Sequence, residues 1–426
     1  MSDKLTRQHW KIVFIAGMGF FTDAYDLFII GVVTAILMPV WHLTIWQVAV
    51  LNGAALIAAA IGAVTFGWIS DRLGRKCIYG YEVLLLFFGA LLSASSTSFV
   101  WLLIWRVLVG FAVGGDYPMS AVVSSEHAGS KHRGFLVLMV FAMQAAGLIV
   151  GPFIASGLLL LDLPIEWTWR VLLGLGAIPA ISVFMLRRNI AETSHFLEDK
   201  KKRFSGSVVV NELLSKGGNA SKPRAISLKP KIFCCFRKTL FATATAWFLF
   251  DIAFYGNSMS FVLILKHLTP NASLVEKTLT TAIVFLVFAV PGYLAAAKYV
   301  DKIGRKRMQI LGFSMMAVCY VIMALYYDQW QWFLAAFGVS FFFVNFGPNA
   351  TTFLMSSESF PTSIRASAHG ISAAAGKAGA FIGAFFMPVV LNGCGLMVTF
   401  FMVALICLLG VLTTLLLPEM AGKDLF

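Results

Sequence analysis

Seven ionisable residues stand inside long apolar stretches of the chain: Asp23, Asp26, Glu82, Arg106, Asp116, Asp251 and Lys377. A charge at the centre of a bilayer-spanning helix costs roughly 2.5–3.5 kcal/mol, so each of these needs a partner or a task. Their local strings are distinctive. FFTDAYDLF sets Asp23 and Asp26 three residues apart, on one face of a helix. In RVLVGFAVGGDYPMSAVVSSE, Asp116 adjoins the phenol of Tyr117 at a helix break expected at Pro118. Small residues at 110, 114 and 115 of that string allow a second helix to approach closely. In WFLFDIAFYG, Trp247, Asp251 and Tyr255 recur every four residues and drift only slowly around one face. NFGPNATTF brackets Pro348 with Asn345 and Asn349, FAMQAAG contributes Gln144, and GISAAAGKAGA is almost free of side chains except for Lys377.

Tyr, Trp, Gln and Asn offer neutral donors, and Lys377 adds one fixed cation. That set suits a small oxyanion, with phosphate, sulfate, nitrate and carboxylates all open. Asp251 fits such a lining if it accepts from a hydroxyl of a protonated anion, or carries a proton itself when the anion binds. The stacked aromatics expected around a sugar and the several acids expected around an organic cation are missing. No nucleophile–base constellation, metal-ligand cluster or cofactor fingerprint is present, and no GxxxxGK[ST]. An enzyme and an ATP-driven motor are therefore excluded, and neither cofactor nor metal is expected.

The elements that must hold these residues are membrane spans. Of 426 residues, 59% are apolar and 12% charged, with a mean hydropathy of +0.84. Soluble domains average about 45–50% and about 25%, and a soluble fold of this size could not hide so much apolar surface. Spans need about 20 apolar residues. Twelve are expected, near 12–40, 45–70, 77–97, 99–125, 135–161, 168–187, 239–266, 276–300, 308–327, 331–357, 366–393 and 396–417. The N-terminal MSDKLTRQHWK runs into the first of them without a signal-peptide cleavage site. On this map 28 of the 33 Lys and Arg fall on the side of both termini, Arg170, Lys266 and Lys277 fall opposite, and Arg106 and Lys377 lie within spans. Both termini are then cytoplasmic, in a cell (inner or plasma) membrane, and the net charge of +13 reflects cytoplasmic loops rather than nucleic acid as a partner. The six cysteines are scattered and form no disulfide frame.

Segment 187–238, with 13 Lys or Arg against four acids, divides the spans six and six. It reads as a solvated linker with some attraction to anionic lipid headgroups. The expected organisation is a first bundle over 1–186, the linker, and a second bundle over 239–426. Matching loops carry an internal repeat. GWISDRLGRK follows span 2 and AKYVDKIGRK follows span 8, placing Asp71 and Arg75 in one and Asp301 and Arg305 in the other, 230 residues apart. These residues are expected to gate or staple the bundles, with Glu126 and Glu358 as further salt-bridge residues at the same membrane face.

Twelve spans, the six-plus-six division and the doubled D-x-x-G-R-K loop resemble the major facilitator superfamily. That implies an all-α membrane protein of two pseudo-symmetric six-helix bundles, with a midplane site and alternating access. TDAYDLF, GGDYPMSA with its downstream SSE, WFLFDIAFYG and NFGPNATTF…FPTSIRASAHGISAAAGKAGA resemble, more narrowly, the phosphate:proton symporter family, over about residues 11–417. The resemblance implies inward symport of inorganic phosphate with protons. It assigns phosphate contacts to Tyr117, Gln144, Trp247, Asp251, Tyr255 and Asn349 with Lys377 nearby, and proton handling to Asp23, Asp26, Glu82 and Asp116. The chain departs from the family pattern at Tyr81-Glu82, where a Lys commonly precedes the acid, and at SSESF after span 10. A monomer in contact with lipid is the expected working form. The competing readings are a carrier of another small solute, and a phosphate receptor without appreciable flux.

Overall fold

The computed structural model describes residues 7–74, 79–127, 132–161, 163–188 and 228–422. Arg75 and most of the 187–238 segment lie outside them. The described residues form helices and no strand. The first half comprises α1 (Arg7–Val40), α2 (Ile45–Leu73), α3 (Tyr81–Ala94), α4 (Phe99–His127), α5 (Arg133–Leu160) and α6 (Ile165–Arg187, interrupted at 175–176). The second comprises α7 (Leu228–Met259, prolonged past Ser260 by Phe261–Leu268), α8 (Leu274–Ile303), α9 (Arg305–Leu325) and α10 (Trp330–Glu358, broken at Gly347). It closes with a helix spanning Arg365–Leu415, in which Gly395 at φ 75° divides α11 (365–394) from α12 (396–415).

Ten helices among the described residues are long and apolar enough to cross a membrane. The shorter α3 and the separation at Gly395 bring the number to the expected twelve. They assemble as two six-helix bundles.

The halves repeat one another in their physics. Thr44 and Gln47 close a capping box at the start of α2, and Ser273 and Glu276 do the same for α8. Gly74 (φ 103°) and Gly304 (φ 95°) end α2 and α8 in a conformation that side chains resist, which explains the glycine in each D-x-x-G loop. Lipid provides little hydrophobic drive between helices, so small residues set their approach. A methyl group at Gly110 or Gly114 of α4 would overlap the backbone of Ala55 or Ala59 on α2. Gly379 and Gly383 seat α11 on the backbone of Phe248 and Ile252 of α7 in the same way.

The structure corrects the expected break at Pro118: α4 continues through it. Proline removes one backbone donor, and neighbouring helices and hydroxyls make that tolerable inside a bundle. Ser120 and Ser124 lie just beyond, and the Ser124 hydroxyl donates to the Ser120 carbonyl at 2.5 Å. The break in α10 falls where NFGPN places it, at Gly347 before Pro348.

Candidate functional site

Lys377 lies at the seam of the two bundles, 1% exposed. Its Nζ donates to the Tyr255 hydroxyl at 2.6 Å and to the Tyr117 hydroxyl at 3.1 Å, and stands 3.8 Å from Asp251 Oδ2. The two phenol oxygens are 3.4 Å apart. Tyr117 comes from α4, Asp251 and Tyr255 from α7 and Lys377 from α11, so one cation gathers groups from both bundles. The helix around Lys377 is small-residued for a visible reason: a side chain at Gly376 would run into the indole of Trp247. Trp247 also packs edge-on against His369, with ring centroids 5.4 Å apart.

A second polar chain crosses the seam beside the first. Gln144 Oε1 of α5 accepts from the Tyr293 hydroxyl of α8 at 2.8 Å, and that hydroxyl accepts from Asn349 Nδ2 at 2.7 Å. Asn349 also donates to Asn345 Oδ1, while Asn345 spends its own amide on the Phe341 carbonyl of its helix. Of the two asparagines, Asn349 is the one that reaches the seam. Tyr293 was not among the expected residues; a phenol in VPGYLAAAKYV, one of two in that string, carries little signal by itself.

The carboxyls expected to handle protons fall into two groups. Arg187, at the end of α6, reaches both Glu82 Oε1 at 2.9 Å and Asp116 Oδ1 at 2.8 Å. Ser120 donates to Asp116 at 2.6 Å, and the Gly80 amide donates to Glu82 at 2.8 Å. A side chain at Gly19 would collide with Arg187 and Asp116, so glycine brings α1 against this cluster. Arg187 had been counted with the basic linker; it is instead 2% exposed and holds α3, α4 and α6 together. Asp23 is within electrostatic reach of Asp116, Arg187 and Lys377, and its Oδ2 has no hydrogen-bond partner among the described residues. Asp26, one turn along, meets different groups. Arg106 donates to its backbone carbonyl at 2.6 Å, and its carboxyl lies against Gly176 at the α6 interruption.

The D-x-x-G-R-K loops seal one end of the seam. Asp71 Oδ2, at the end of α2, accepts from the Ser367 amide at 2.8 Å and hydroxyl at 2.6 Å, capping the start of α11 in the other bundle. Asp301, at the end of α8, accepts from the Phe135 amide at 2.9 Å, capping the start of α5. Each motif aspartate thus caps the fifth helix of the opposite bundle, where the helix dipole favours an anion. Buried Glu358 adds bonds to Arg133 Nε at 2.7 Å and to Arg305 at 3.0 and 3.1 Å. Arg75 lies outside the described residues.

Residues 10–426 match the family described as "Sugar (and other) transporter". The chain belongs to this transporter family. It falls within the major facilitator superfamily, whose members move solutes and are not enzymes. Among its relatives, "Inorganic phosphate transporter 1-6" of Oryza sativa subsp. japonica is 34% identical, covering 98% of this chain and 91% of the relative. "Inorganic phosphate transporter 1-1" of Arabidopsis thaliana is 32% identical, covering 98% and 94%. The solved proton:xylose symporter XylE bound to 6-bromo-6-deoxy-D-glucose shares the fold, with a TM-score of 0.80 at 20% identity over 98% of this chain and 97% of that one.

In this member of the family the end of the seam opposite the sealed loops carries a cavity of about 620 Å³. It lies between the α1–α2 turn (Pro39, His42, Ile45), the end of α7 (Met259, Ser260, Lys266) and the start of α8 (Leu274, Lys277). Phe28 stacks on Tyr255 with centroids 5.2 Å apart and 14° between planes, and the two stand about one helical turn from Gly31 and Met259, which line the cavity. Among the described residues the seam is closed at the motif end, and the cavity at the other end stops short of the buried Lys377.

Proposed function

We propose that this chain is a secondary active transporter that carries inorganic phosphate together with protons into the cell by alternating access. The observation that supports it most is the buried Lys377, shared by two tyrosine hydroxyls and one carboxylate at the seam. A tetrahedral oxyanion placed there accepts from Lys377, Tyr117 and Tyr255 together, three donors from both bundles. Asp251 then accepts from a P–OH group, which would favour a protonated phosphate over an anion that lacks a hydroxyl. Gln144, Trp247 and Asn349 complete the lining, with Tyr293 orienting Gln144 and Asn349.

Charge counting supports the proton reading. Asp251 balances Lys377, and Asp26 stands in the field of Arg106. Asp23, Glu82 and Asp116 share the single guanidinium of Arg187, which leaves two excess negative charges in a buried cluster if all three ionise. Such an excess is expensive in a dry interior, and proton uptake relieves it. We assign Asp23 as the principal proton carrier because it alone of the three has no direct contact with Arg187. Asp116 and Asp26 set its field, and Glu82 shares Arg187 with Asp116. Each charge crossing the membrane is worth about 2.3 kcal/mol per 100 mV. A monoanion with two protons is therefore drawn in by an interior-negative potential, whereas one proton only neutralises it.

The proposed frame keeps both termini in the cytoplasm, with bundles over 1–186 and 239–426, the basic linker over 187–238, and a monomer in lipid. Labelled phosphate uptake into proteoliposomes with an imposed inward proton gradient tests the reading. Uptake that collapses on adding an uncoupler supports it. Folded protein that takes up no phosphate, or uptake indifferent to the uncoupler, refutes it.

A further inference from the structure

We infer that the cavity opposite the sealed loops is a capture site for inorganic anions, built around Lys266 and Lys277, where substrate dwells before reaching Lys377. The inference rests on the phosphate reading above and adds a second, outer position to it.

The charge distribution carries the argument. On the span map read from the sequence only three of 33 Lys and Arg fall on the side away from the termini, and two of these, Lys266 and Lys277, line this one cavity. They sit on different elements, the short helix after α7 and the first turn of α8, so the fold converges them. Neither is in ion-pair contact with a carboxylate among the described residues. Lys277 is 8% exposed, and its Nζ donates to the Ala272 carbonyl at 2.5 Å, which fixes the cation at the start of α8. Glu276, the neighbouring acid, is held in the Ser273 capping box, accepting from the Ser273 amide at 2.6 Å, and makes no ion-pair contact with either lysine. Lys266 is exposed and free to follow a ligand. Deeper in the cavity, Thr34, Asn52 and Ser260 add neutral polar groups, with Thr34 Oγ1 and Asn52 Oδ1 3.2 Å apart.

The remaining lining is apolar, as Met38, Leu43, Val48 and Leu263 show. Cationic groups on a low-dielectric wall focus the field and raise the local anion concentration, accelerating association by roughly 10–10³-fold at low ionic strength. An outer site also answers a geometric difficulty. Lys377 and Tyr255 are each 1% exposed, so an arriving anion must wait until the packing around them parts.

The test compares wild type, Lys266→Gln/Lys277→Gln, Lys266→Glu alone and the rescue variant Lys266→Arg/Lys277→Arg in proteoliposomes. Initial phosphate uptake is measured at about 10 mM and about 150 mM ionic strength, where the Debye length falls from about 30 Å to about 8 Å. The expected result is a KM raised roughly three- to ten-fold in the Gln pair and in Lys266→Glu at low ionic strength. Vmax should be unchanged, the difference should shrink at high ionic strength, and the Arg pair should behave as wild type. Because Lys277 also serves Ala272, the exposed Lys266→Glu keeps the test informative if the pair folds poorly. A phospholipid headgroup offers the same chemistry as free phosphate. Vesicles of phosphatidylcholine alone and with added phosphatidylglycerol separate the two: a KM effect in both supports capture of the free anion, and one confined to the anionic vesicles overturns it. Unchanged KM in both charge variants, with wild type active, overturns this inference alone. A wild type that takes up no phosphate overturns the phosphate reading and this inference with it.

Discussion

Replacing Lys377 by methionine removes the cation shared by Tyr117, Tyr255 and Asp251 while keeping most of the side-chain volume. In the structure that ammonium makes two hydrogen bonds to phenols, at 2.6 and 3.1 Å, and stands 3.8 Å from Asp251. On the proposed reading at least one of those donations is redirected to a phosphate oxygen. A hydrogen bond to a charged group contributes about 1.5–3 kcal/mol. At about 1.4 kcal/mol per decade, its loss weakens phosphate binding by roughly 10- to 150-fold. A second consequence follows from burial. Asp251 is left without its counter-charge, and breaking a buried pair on one side costs about 3–5 kcal/mol of stability. The double variant Lys377→Met/Asp251→Asn removes the orphaned charge, so it should regain most of the lost Tm without regaining affinity. Titration calorimetry of phosphate on purified protein, with thermal unfolding of wild type, both single variants and the double, separates the two effects. Binding within threefold of wild type in Lys377→Met refutes the substrate role. A double variant no more stable than Lys377→Met refutes the pairing argument.

Asp23→Asn should still exchange phosphate across a vesicle membrane, yet lose the accumulation driven by a proton gradient. One pH unit supports about tenfold accumulation per coupled proton, and retention of that accumulation would remove Asp23 from the coupling scheme. Arg187→Gln leaves Glu82 and Asp116 without their cation and should lower Tm, with part of the loss recovered by adding Asp116→Asn; independent, additive losses would contradict the shared guanidinium. Glu358→Gln loosens the seal between Arg133 and Arg305 and should speed labelling of a cysteine placed at position 369 by a reagent added on the motif-loop side. Gly114→Val would overlap the Ala59 backbone and should abolish monodisperse protein, whereas Gly157→Ala meets nothing within 4 Å and should change stability by no more than about 1 kcal/mol, as size-exclusion profiles and Tm will show.

What the sequence disclosed and what it concealed divide along a physical line. Apolar length fixes a span, so the helices fell close to their expected ranges, and a charge inside a span is conspicuous, so Lys377, Asp251, Asp116 and Asp23 were visible as site candidates. Charges at the ends of spans are not conspicuous, because burial there depends on which helix packs alongside. Arg187 resembled another linker cation, yet it lies buried between two acids. Arg133 resembled a positive-inside residue, yet it closes the seam on Glu358, where the expected staple residue Arg305 also binds. Tyr293 was hidden for the converse reason, since a phenol is unremarkable in a membrane helix until its hydroxyl is seen between Gln144 and Asn349. His369, inside the expected span 366–393, is fully buried on α11 with Nδ1 2.9 Å from the Ser356 hydroxyl. Periodicity reports which face of a helix is polar; it does not report what stands opposite.

The doubled loop motif shows why the sealed end can also open. Each aspartate caps a helix of the other bundle, an interaction worth about 0.3–1 kcal/mol at an exposed helix end and up to about 2 kcal/mol when partly buried. Separation of the bundles returns Asp71 and Asp301 to water, which solvates them, so the caps bias the closed state only modestly. The buried Arg133–Glu358 contact is the stronger clamp, but Glu358 keeps Arg305 within its own bundle when Arg133 leaves. The carboxylate is therefore never stranded, and the opening penalty stays well below that of orphaning a buried charge. Moving a two-state equilibrium from 1:99 to 99:1 needs about 5.5 kcal/mol of differential binding. A phosphate held by Lys377 and two tyrosines, together with neutralisation of the Asp23 cluster, can supply an amount of that order. The repeat thus gives a lock weak enough for the substrate to release.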